Sequence, residues 1–271
     1  MAKQHLIALD LDGTLLKDNK TISIRSKRII SRAIEDGHIV VIATGRPYRS
    51  SSLYYQELGL TTPIVNFNGA YVHHPLNRNW GTFHESLNLK TVHDIIEASV
   101  SFQVENMIAE VIDDLYLHQH DKKLLEIFNF GNPTIQTGDL RNILKHDPTA
   151  LLLHPKVENV ETIRNHLLSV HANVIDHRKW GAPLQIIEIV KRGLNKAVGL
   201  KRIADYYLIP KERIIAFGDE DNDLEMIEFA GYGIAMGNAI SDLKQVANDI
   251  TKTNEQDGVA YYLETLLQLK R

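Results

Sequence analysis

Two aspartates follow the first hydrophobic stretch of the chain. The run Leu6–Leu9 leads into Asp10 and Asp12, and Gly13 and Thr14 come next. Carboxylates two residues apart at the end of a strand point to the same side, so both can face one ligand. Two anions this close need a cation or a shared proton. Gly13 allows a sharp turn, and the Thr14 hydroxyl can form a hydrogen bond within that turn. An ordinary Asp-Gly turn is the weaker interpretation after so hydrophobic a strand.

A second acidic group follows the apolar run Ile214–Phe217 near the end of the chain. Its sequence is Gly-Asp-Glu-Asp-Asn-Asp, over residues 218–223. Four acids and an amide at a strand end are hard oxygen ligands of the kind that suits Mg²⁺. Acids that decorate a helix N-terminus would explain Glu220 and Asp221 equally well. They explain Asp219 poorly, because it directly follows the strand.

Two further segments offer positive or hydrogen-bonding groups to an anion. Thr44 and Gly45 lie between an apolar run and a helix, where a hydroxyl and backbone N–H groups can bind phosphate. Alone, such a threonine is usually a helix cap. Lys196 stands near a helix start, where lysine is unfavourable unless an anion compensates. Alone, it would be interpreted as a surface lysine. Together the segments supply what phosphoryl transfer through an aspartyl-phosphate requires.

Short apolar runs alternate with amphipathic stretches in the first and last parts of the chain, which predicts a doubly wound, Rossmann-like parallel sheet in an α/β fold. Strands are predicted at Leu6–Leu11, His38–Ala43, Pro63–Val65, Arg213–Phe217 and Tyr232–Ala235. Helices are predicted at Tyr48–Leu58, Asn195–Tyr206, Asn222–Ala230 and Ala260–Leu269. Ligands bind at the carboxyl ends of such strands, where the acidic groups lie.

The middle of the chain has a different pattern, with strand-like runs at Asp114–His118 and Ala150–His154 and a helix at Val160–Val170. It predicts an α+β domain inserted into the α/β core. The expected division is therefore a core of residues 1–80 and 190–271 and an inserted domain of residues 81–189. Such a two-part layout suits a chain of 271 residues.

The composition narrows the class of protein. Hydrophobic residues make up 44% and charged residues 24%, as in a globular protein. The formal net charge of −4 gives no electrostatic reason to expect a nucleic-acid or anionic-membrane partner. The chain has no cysteine, which excludes thiolate catalysis and disulfides. Without a signal-peptide pattern or a sufficiently long apolar run, a cytoplasmic location is expected.

These segments together resemble the four motifs of the haloacid dehalogenase superfamily, and more narrowly its Cof-type phosphatases. The resemblance is carried by DLDGT, the strand-ending Thr44, Lys196 and GDEDND. Supporting segments are Ile42–Arg46, Asn68–Ala70, Ala235–Ala239 and Asp257–Val259.

The resemblance implies a role for each motif residue in a Mg²⁺-dependent phosphatase that acts on small phosphorylated metabolites. Asp10 would be the nucleophile, and Asp12 would protonate the leaving alcohol and then activate water. The metal ligands would be Asp10, the backbone carbonyl of Asp12 and Asp219, with Asp223 in support. Phosphate would be held by the Leu11 backbone, Thr44, the Gly45 amide, Lys196 and Asn222. The inserted domain would be a cap over the substrate.

Several alternatives remain open from the sequence. The nearest is a phosphomutase on the same fold, similar to phosphomannomutases. A phospho-accepting signalling module is more remote, because its accepting aspartate follows the third strand instead of the first. In the inserted domain, His118 and His120 alternate along the predicted strand and would share a face. A weaker hypothesis gives one of them a place in the substrate pocket. Sugar phosphates, pyridoxal phosphate and flavin mononucleotide all remain candidate substrates.

Overall fold

The structure, a computed structural model, describes residues 4–180 and 185–268, and it divides into two compact units. The first unit comprises Met1–Arg46, Ser51–Phe83 and Asn195–Arg271. The second comprises Pro47–Ser50 and His84–Leu194. Residues 47–50, which the sequence assigned to the core, thus group with the second unit. Within the described residues, no helix is long and apolar enough to cross a membrane.

The described residues form fourteen strands and ten α-helices. The strands are β1 Leu6–Leu9, β2 Ile39–Ile42, β3 Ile64–Asn66, β4 Tyr71–His73, β5 Thr82–His84, β6 Asn106–Val111, β7 Asp114–Leu117, β8 Ile135–Thr137, β9 Ala150–His154, β10 Ile175–Lys179, β11 Ile187–Lys191, β12 Ile214–Gly218, β13 Tyr232–Ala235 and β14 Asp249–Ile250. The helices are α1 Ile24–Glu35, α2 Tyr48–Glu57, α3 Leu89–Ser101, α4 Lys122–Phe128, α5 Leu140–Ile143, α6 Val160–Val170, α7 Lys196–Tyr206, α8 Leu224–Phe229, α9 Ser241–Val246 and α10 Gly258–Leu266.

A five-stranded parallel sheet forms the centre of the first unit, in the order β14-β13-β12-β1-β2. β1 lies in the middle, and Leu6 pairs with Ile39 on one side and with Ile214 on the other. Every side chain of β1 is fully buried, which explains its unbroken apolar sequence. The predicted doubly wound parallel α/β sheet is therefore confirmed.

The carboxyl ends of three neighbouring strands bring the predicted motifs to one edge of this sheet. Asp10 follows β1, Thr44 lies two residues after β2, and Asp219 follows β12. Because the strands are parallel, these ends meet at the same edge. β1 ends at Leu9, two residues earlier than predicted, because the chain enters a turn in which the Thr14 amide donates to the Leu11 carbonyl. Residues 221–223 form a 3₁₀ turn, so α8 begins later than predicted.

The second unit contains a six-stranded sheet in the order β10-β11-β9-β6-β7-β8. Its pairs are antiparallel except β7–β8. Arg49 explains why residues 47–50 group here, since its guanidinium forms a buried ion pair with Glu110. The Arg49 amide also donates to Asp113 Oδ1 at 2.8 Å. No pattern in the sequence predicts this pair.

Candidate active site

Three buried aspartates come together at the carboxyl edge of the parallel sheet. Asp10 follows β1, whereas Asp219 and Asp223 belong to the loop and 3₁₀ turn after β12. One carboxylate oxygen from each lies within 4.8 Å of the others. Each of the three residues is less than one-tenth exposed. Such a cluster of like charges needs positive charge to be stable.

Lys196 supplies part of that charge. It is the first residue of α7, and the side chain of the preceding Asn195 caps the helix by accepting from the Val198 amide. Its Nζ donates to Asp10 Oδ1 at 2.7 Å and to Asp223 Oδ1 at 2.6 Å. Burial opposes the ammonium form, but the two carboxylates outweigh it and raise the pKa of Lys196. The side chain is fully buried, so the surface-lysine interpretation is wrong.

Two carboxyl groups of the cluster have raised pKa values. Burial raises the pKa of Asp10 well above its ordinary value, and the nearby Asp223 and Asp219 add to this against the effect of Lys196. Burial and then Asp223 raise the pKa of Asp219 to about 7. Asp10 and Asp219 therefore hold their protons more tightly than in water, chiefly because they are buried.

Asp223 links the lysine to the loop that carries Asp219. While its Oδ1 accepts from Lys196, its Oδ2 accepts from the Asp219 amide at 3.0 Å and from the Glu220 amide at 3.2 Å. Both oxygens are thus engaged, and the side chain is fully buried. The supporting role of Asp223 at the metal stays a prediction.

Gly13 and Thr14 bring the first turn against Asp219. Gly13 has a φ of 73°, and a Cβ placed on it would lie 2.1 Å from Asp219 Oδ2. Thr14 Oγ1 donates to Asp219 Oδ1 at 2.8 Å, so its hydroxyl crosses to the other loop, contrary to the prediction of a bond within its own turn. Asn238, which the sequence did not single out as a site residue, donates to the Gly13 carbonyl at 2.8 Å.

We expect Gly13→Ala to lower kcat by about 100-fold, because the methyl group displaces the Asp219 carboxylate. Gly37→Ala is the matched control: Gly37 also has a left-handed φ of 88°, but a Cβ there meets nothing within 4 Å. Both variants should lose about 1–3 kcal/mol of stability from backbone strain. Steady-state kinetics and urea unfolding test this. Equal kinetics in the two variants would show that the close approach is unimportant.

Asp12 does not join the carboxylate cluster. Its Oδ2 accepts from Arg46 Nε at 2.6 Å, and its Oδ1 accepts from Arg46 Nη2 and from Lys20 Nζ, each at 2.7 Å. Burial acts to raise the pKa of Asp12, but these hydrogen bonds and charges lower it to about 2. The Asp12 carboxylate thus lies outside the cluster and bonds to Arg46 and Lys20, because the strand has ended before Asp10. That both aspartates face one ligand stays a prediction.

The residues predicted to bind phosphate lie around the same edge. Thr44 is buried, and its Oγ1 accepts from the Arg46 amide at 3.2 Å. Gly45 lies against Asn68, because a Cβ on it would be 3.2 Å from the Asn68 side chain. Asn222 Nδ2 donates to Asn68 Oδ1 at 3.0 Å. The side chain of Leu11 is fully buried, so only its backbone is available to a ligand.

Asn68 is a site residue that the sequence did not assign, although its Asn-Gly-Ala segment was noticed. It has a left-handed backbone with φ 51° and ψ 35°. The next residue, Gly69, has a φ of 96°, and a Cβ on it would lie 2.2 Å from the Asn195 carbonyl oxygen. The turn thus packs directly against the residue that precedes Lys196. The left-handed preference of an Asn-Gly pair was the available signal.

His118 and His120 belong to the second unit and do not share a strand face. β7 ends at Leu117, so both histidines lie beyond it. His118 Nδ1 accepts from the Leu140 amide at 3.3 Å, which holds the start of α5. His120 is exposed. The shared-face prediction is wrong, and a substrate role for either histidine stays a prediction.

Comparison with known proteins gives a consistent result. Residues 7–263 match the family model of the haloacid dehalogenase-like hydrolases. The chain is 59% identical, over 98% of its length and 99% of the relative's, to the 5-amino-6-(5-phospho-D-ribitylamino)uracil phosphatase YitU of Bacillus subtilis. It is 31% identical to a second Bacillus subtilis phosphatase of that description, YwtE, over 96% and 97% of the two lengths.

Solved structures agree with these sequence matches. A haloacid dehalogenase-like hydrolase from Bacteroides thetaiotaomicron superposes with a TM-score of 0.85 at 27% identity, covering 97% of this chain and all of the other. The resemblance carried by DLDGT and GDEDND is thereby confirmed. The chain belongs to the haloacid dehalogenase-like hydrolase family.

Proposed function

We propose that this hydrolase is a Mg²⁺-dependent phosphatase whose substrate is 5-amino-6-(5-phospho-D-ribitylamino)uracil. The reaction class rests above all on the buried cluster of Asp10, Asp219 and Asp223 with Lys196 bonded into it. A carboxylate nucleophile, a fixed cation and an acidic metal site at one sheet edge are the requirements for phosphoryl transfer. The substrate rests on the 59% identical relative.

The donor set fits a hard divalent cation. Asp10 and Asp219 are the side chains we assign as ligands, together with the Asp12 carbonyl, and Asp223 supports the site. Buried carboxylate and carbonyl oxygens are hard donors, which suit Mg²⁺ better than a softer metal. Bound there, the cation would neutralise charge on the transferring phosphoryl group.

Asp10 and Asp12 divide the chemistry between them. In the first step a carboxylate oxygen of Asp10 bonds to phosphorus, the ester P–O bond breaks, and the leaving oxygen takes a proton from Asp12. Asp12 must enter this step as the protonated carboxyl, although, against the effect of burial, Arg46 and Lys20 lower its pKa to about 2 in the absence of substrate. In the second step water attacks the phosphorus, Asp12 accepts a proton from it, and the bond to Asp10 breaks. Lys196 orients Asp10 throughout, and with Thr44, Asn222 and the Leu11 and Gly45 amides it binds the phosphoryl oxygens.

The second unit, which we propose as the cap, would select the leaving group. The leaving group of the proposed substrate is a primary alcohol of a ribityl chain that carries a substituted uracil. Such an alkoxide is a poor leaving group, so proton donation by an acid such as Asp12 matters most for this kind of ester. A long polar leaving group also offers hydrogen-bonding groups that the second unit can bind selectively.

Phosphate release from a panel tests both parts of the proposal. The panel holds the ribitylaminouracil phosphate, flavin mononucleotide, pyridoxal phosphate and several sugar phosphates, each with and without Mg²⁺. We expect Mg²⁺-dependent release, with kcat/KM for the first compound about 10-fold or more above the rest. A higher kcat/KM for another compound would replace the substrate assignment alone. Movement of phosphate to another carbon, with none released, would identify a mutase and overturn the reaction class.

Mg²⁺ should stabilise the protein more above neutral pH than below it. The pKa of Asp219 is about 7 in the folded protein, whereas its ordinary value is 3.8. Without metal, the folded protein therefore binds this proton more tightly than the unfolded chain does. The stability of the folded protein without metal therefore falls as the pH rises from about 3.8 to about 7. At low pH, Mg²⁺ must displace the proton from Asp219 in order to bind. At saturating Mg²⁺ we expect a Tm increase of about 5–10 °C at about pH 8, and a smaller one at about pH 5.5.

Two variants in one loop control this thermal measurement. Asp219→Asn should lose the Mg²⁺-induced Tm increase, whereas Asp221→Asn should keep it, since Asp221 is exposed and outside the carboxylate cluster. Equal increases at the two pH values, or a full increase in Asp219→Asn, would contradict the assignment of Asp219 as a ligand.

A further inference from the structure

A lysine in the hairpin after the first motif touches the carboxylate to which we assign proton transfer. Asp12 receives three donated hydrogen bonds on its two oxygens, two from Arg46 and one from Lys20. Arg46 spans both oxygens, and Lys20 binds Oδ1 in addition at 2.7 Å. The two bonds from Arg46 restrict the orientation of the carboxylate, and Lys20, whose side chain is 57% exposed, adds a second cation at Oδ1. The two cations therefore set the direction in which the Asp12 oxygens point.

The hairpin holds Lys20 in an unfavourable backbone conformation. Leu16 and Ile22 pair across it, the Lys17 amide donates to the Thr21 carbonyl at 3.0 Å, and the Lys20 amide donates to the Lys17 carbonyl at 2.8 Å. Lys20 has a φ of 62°, in the left-handed region where glycine and asparagine are preferred. A long side chain at a strained position is a reason to look for a function of that side chain.

Tyr54 on α2 contacts the backbone of Lys20 and the guanidinium of Arg46. Its hydroxyl donates to the Lys20 carbonyl at 3.0 Å, and its ring lies 5.5 Å from the Arg46 guanidinium. The tyrosine is buried, with 4% of its surface exposed. The same buried side chain thus contacts both Arg46 and the hairpin that carries Lys20.

We propose that Lys20 is a positioning residue that, with Arg46, restricts the Asp12 carboxyl to the orientation needed for proton transfer to the leaving group. This inference rests on the proposed function, in which Asp12 is the acid and base. Asp12 touches the reacting atoms, whereas Lys20 acts through it. Loss of Lys20 should therefore slow the hydrolysis of esters whose alkoxide must be protonated as it leaves. Hydrolysis of esters whose leaving group departs as a stable anion should be little affected.

Leaving-group dependence separates this role from a structural one. The value of kcat/KM reports the steps up to departure of the leaving group. For Lys20→Met we expect kcat/KM to fall about 10-fold for ribitol phosphate and less than about twofold for p-nitrophenyl phosphate. Lys20→Arg should restore most of the ribitol phosphate activity. A merely structural defect would lower both values together.

Lys17→Met is the matched control in the same hairpin. Lys17 Nζ donates to the Glu255 carbonyl at 3.2 Å. For Lys17→Met we expect the ratio of kcat/KM for ribitol phosphate to kcat/KM for p-nitrophenyl phosphate to equal that of the unmodified enzyme. Tyr54→Phe removes the hydroxyl bonded to Lys20 and keeps the ring, and it should shift the ratio in the same direction as Lys20→Met by about threefold. It also serves as the test should Lys20→Met fail to fold.

An unchanged ratio in both Lys20→Met and Tyr54→Phe, with an active unmodified enzyme, would overturn the positioning role alone. Failure of the unmodified enzyme to release phosphate from either ester, or from the substrate panel, would instead overturn the proposed function. A ratio that shifts equally in Lys17→Met would show that any change to the hairpin has this effect, and would likewise reject the assignment to Lys20.

Discussion

Asp10→Asn should abolish phosphate release, lowering kcat by about 10⁴-fold or more, because an amide cannot form the covalent phosphoenzyme. The fold should survive. The substitution removes one of three crowded carboxylates, and Lys196 keeps Asp223 as a partner. We expect the free energy of unfolding at neutral pH to equal or exceed that of the unmodified protein, since burial already disfavours the ionised form of Asp10.

Trapping with radiolabelled substrate measures the covalent step directly. A denaturing quench during turnover should leave label on the unmodified protein and none on Asp10→Asn. Asp221→Asn makes the same chemical change at an exposed acid and should retain both the label and the turnover. Turnover within about tenfold of normal in Asp10→Asn would mean that another group attacks phosphorus.

Lys196→Met should cost about 3–5 kcal/mol of unfolding free energy at neutral pH and eliminate activity. The ammonium is fully buried between Asp10 and Asp223, so its removal leaves buried carboxylates without their partner. Urea unfolding measures the loss. Lys201→Met in the same helix is the matched control, because Lys201 and its partner Asp205 are 61% and 65% exposed. It should change stability by less than about 0.5 kcal/mol.

The deficit of Lys196→Met should shrink as the pH is lowered. The pKa values of Asp10 and Asp219 are raised in the folded protein, so protons bind the folded form more tightly and relieve the uncompensated charge. Adding Asp10→Asn to Lys196→Met should recover part of the stability at neutral pH. A loss below about 1 kcal/mol at neutral pH, or one that grows with acidity, would contradict this account of the cluster.

The sheet and the positions of its motifs were predictable, since they depend on order along the chain. Apolar runs in alternation with helices define a parallel sheet, and parallel strands place Asp10, Thr44 and Asp219 at one edge. A place for Lys196 at this edge followed only when the motifs were considered together, and its burial was not predicted. As an isolated residue at a helix start, it carried no signal of its two aspartate partners.

Side-chain directions and contacts between distant turns were not predictable. Strand geometry was assumed through Asp10 and Asp12, but β1 ends at Leu9 and the Asp12 carboxylate bonds to Arg46, a contact that no pattern in the sequence indicated. The contact between Gly69 and Asn195 depends on how two loops pack. The buried Arg49–Glu110 pair joins residues that no local pattern connects.

The pairing of β1 has a consequence for synthesis on the ribosome. β1 and β2 are made early, but Leu6 finds its other neighbour only when Ile214 has left the exit tunnel. Until then the nascent chain presents a hydrophobic strand with one open edge while the whole second unit is translated. Such an edge is a template for aggregation, and closing so long a loop is slow. We therefore expect the nascent chain to aggregate more readily than the completed protein while the second unit is being translated.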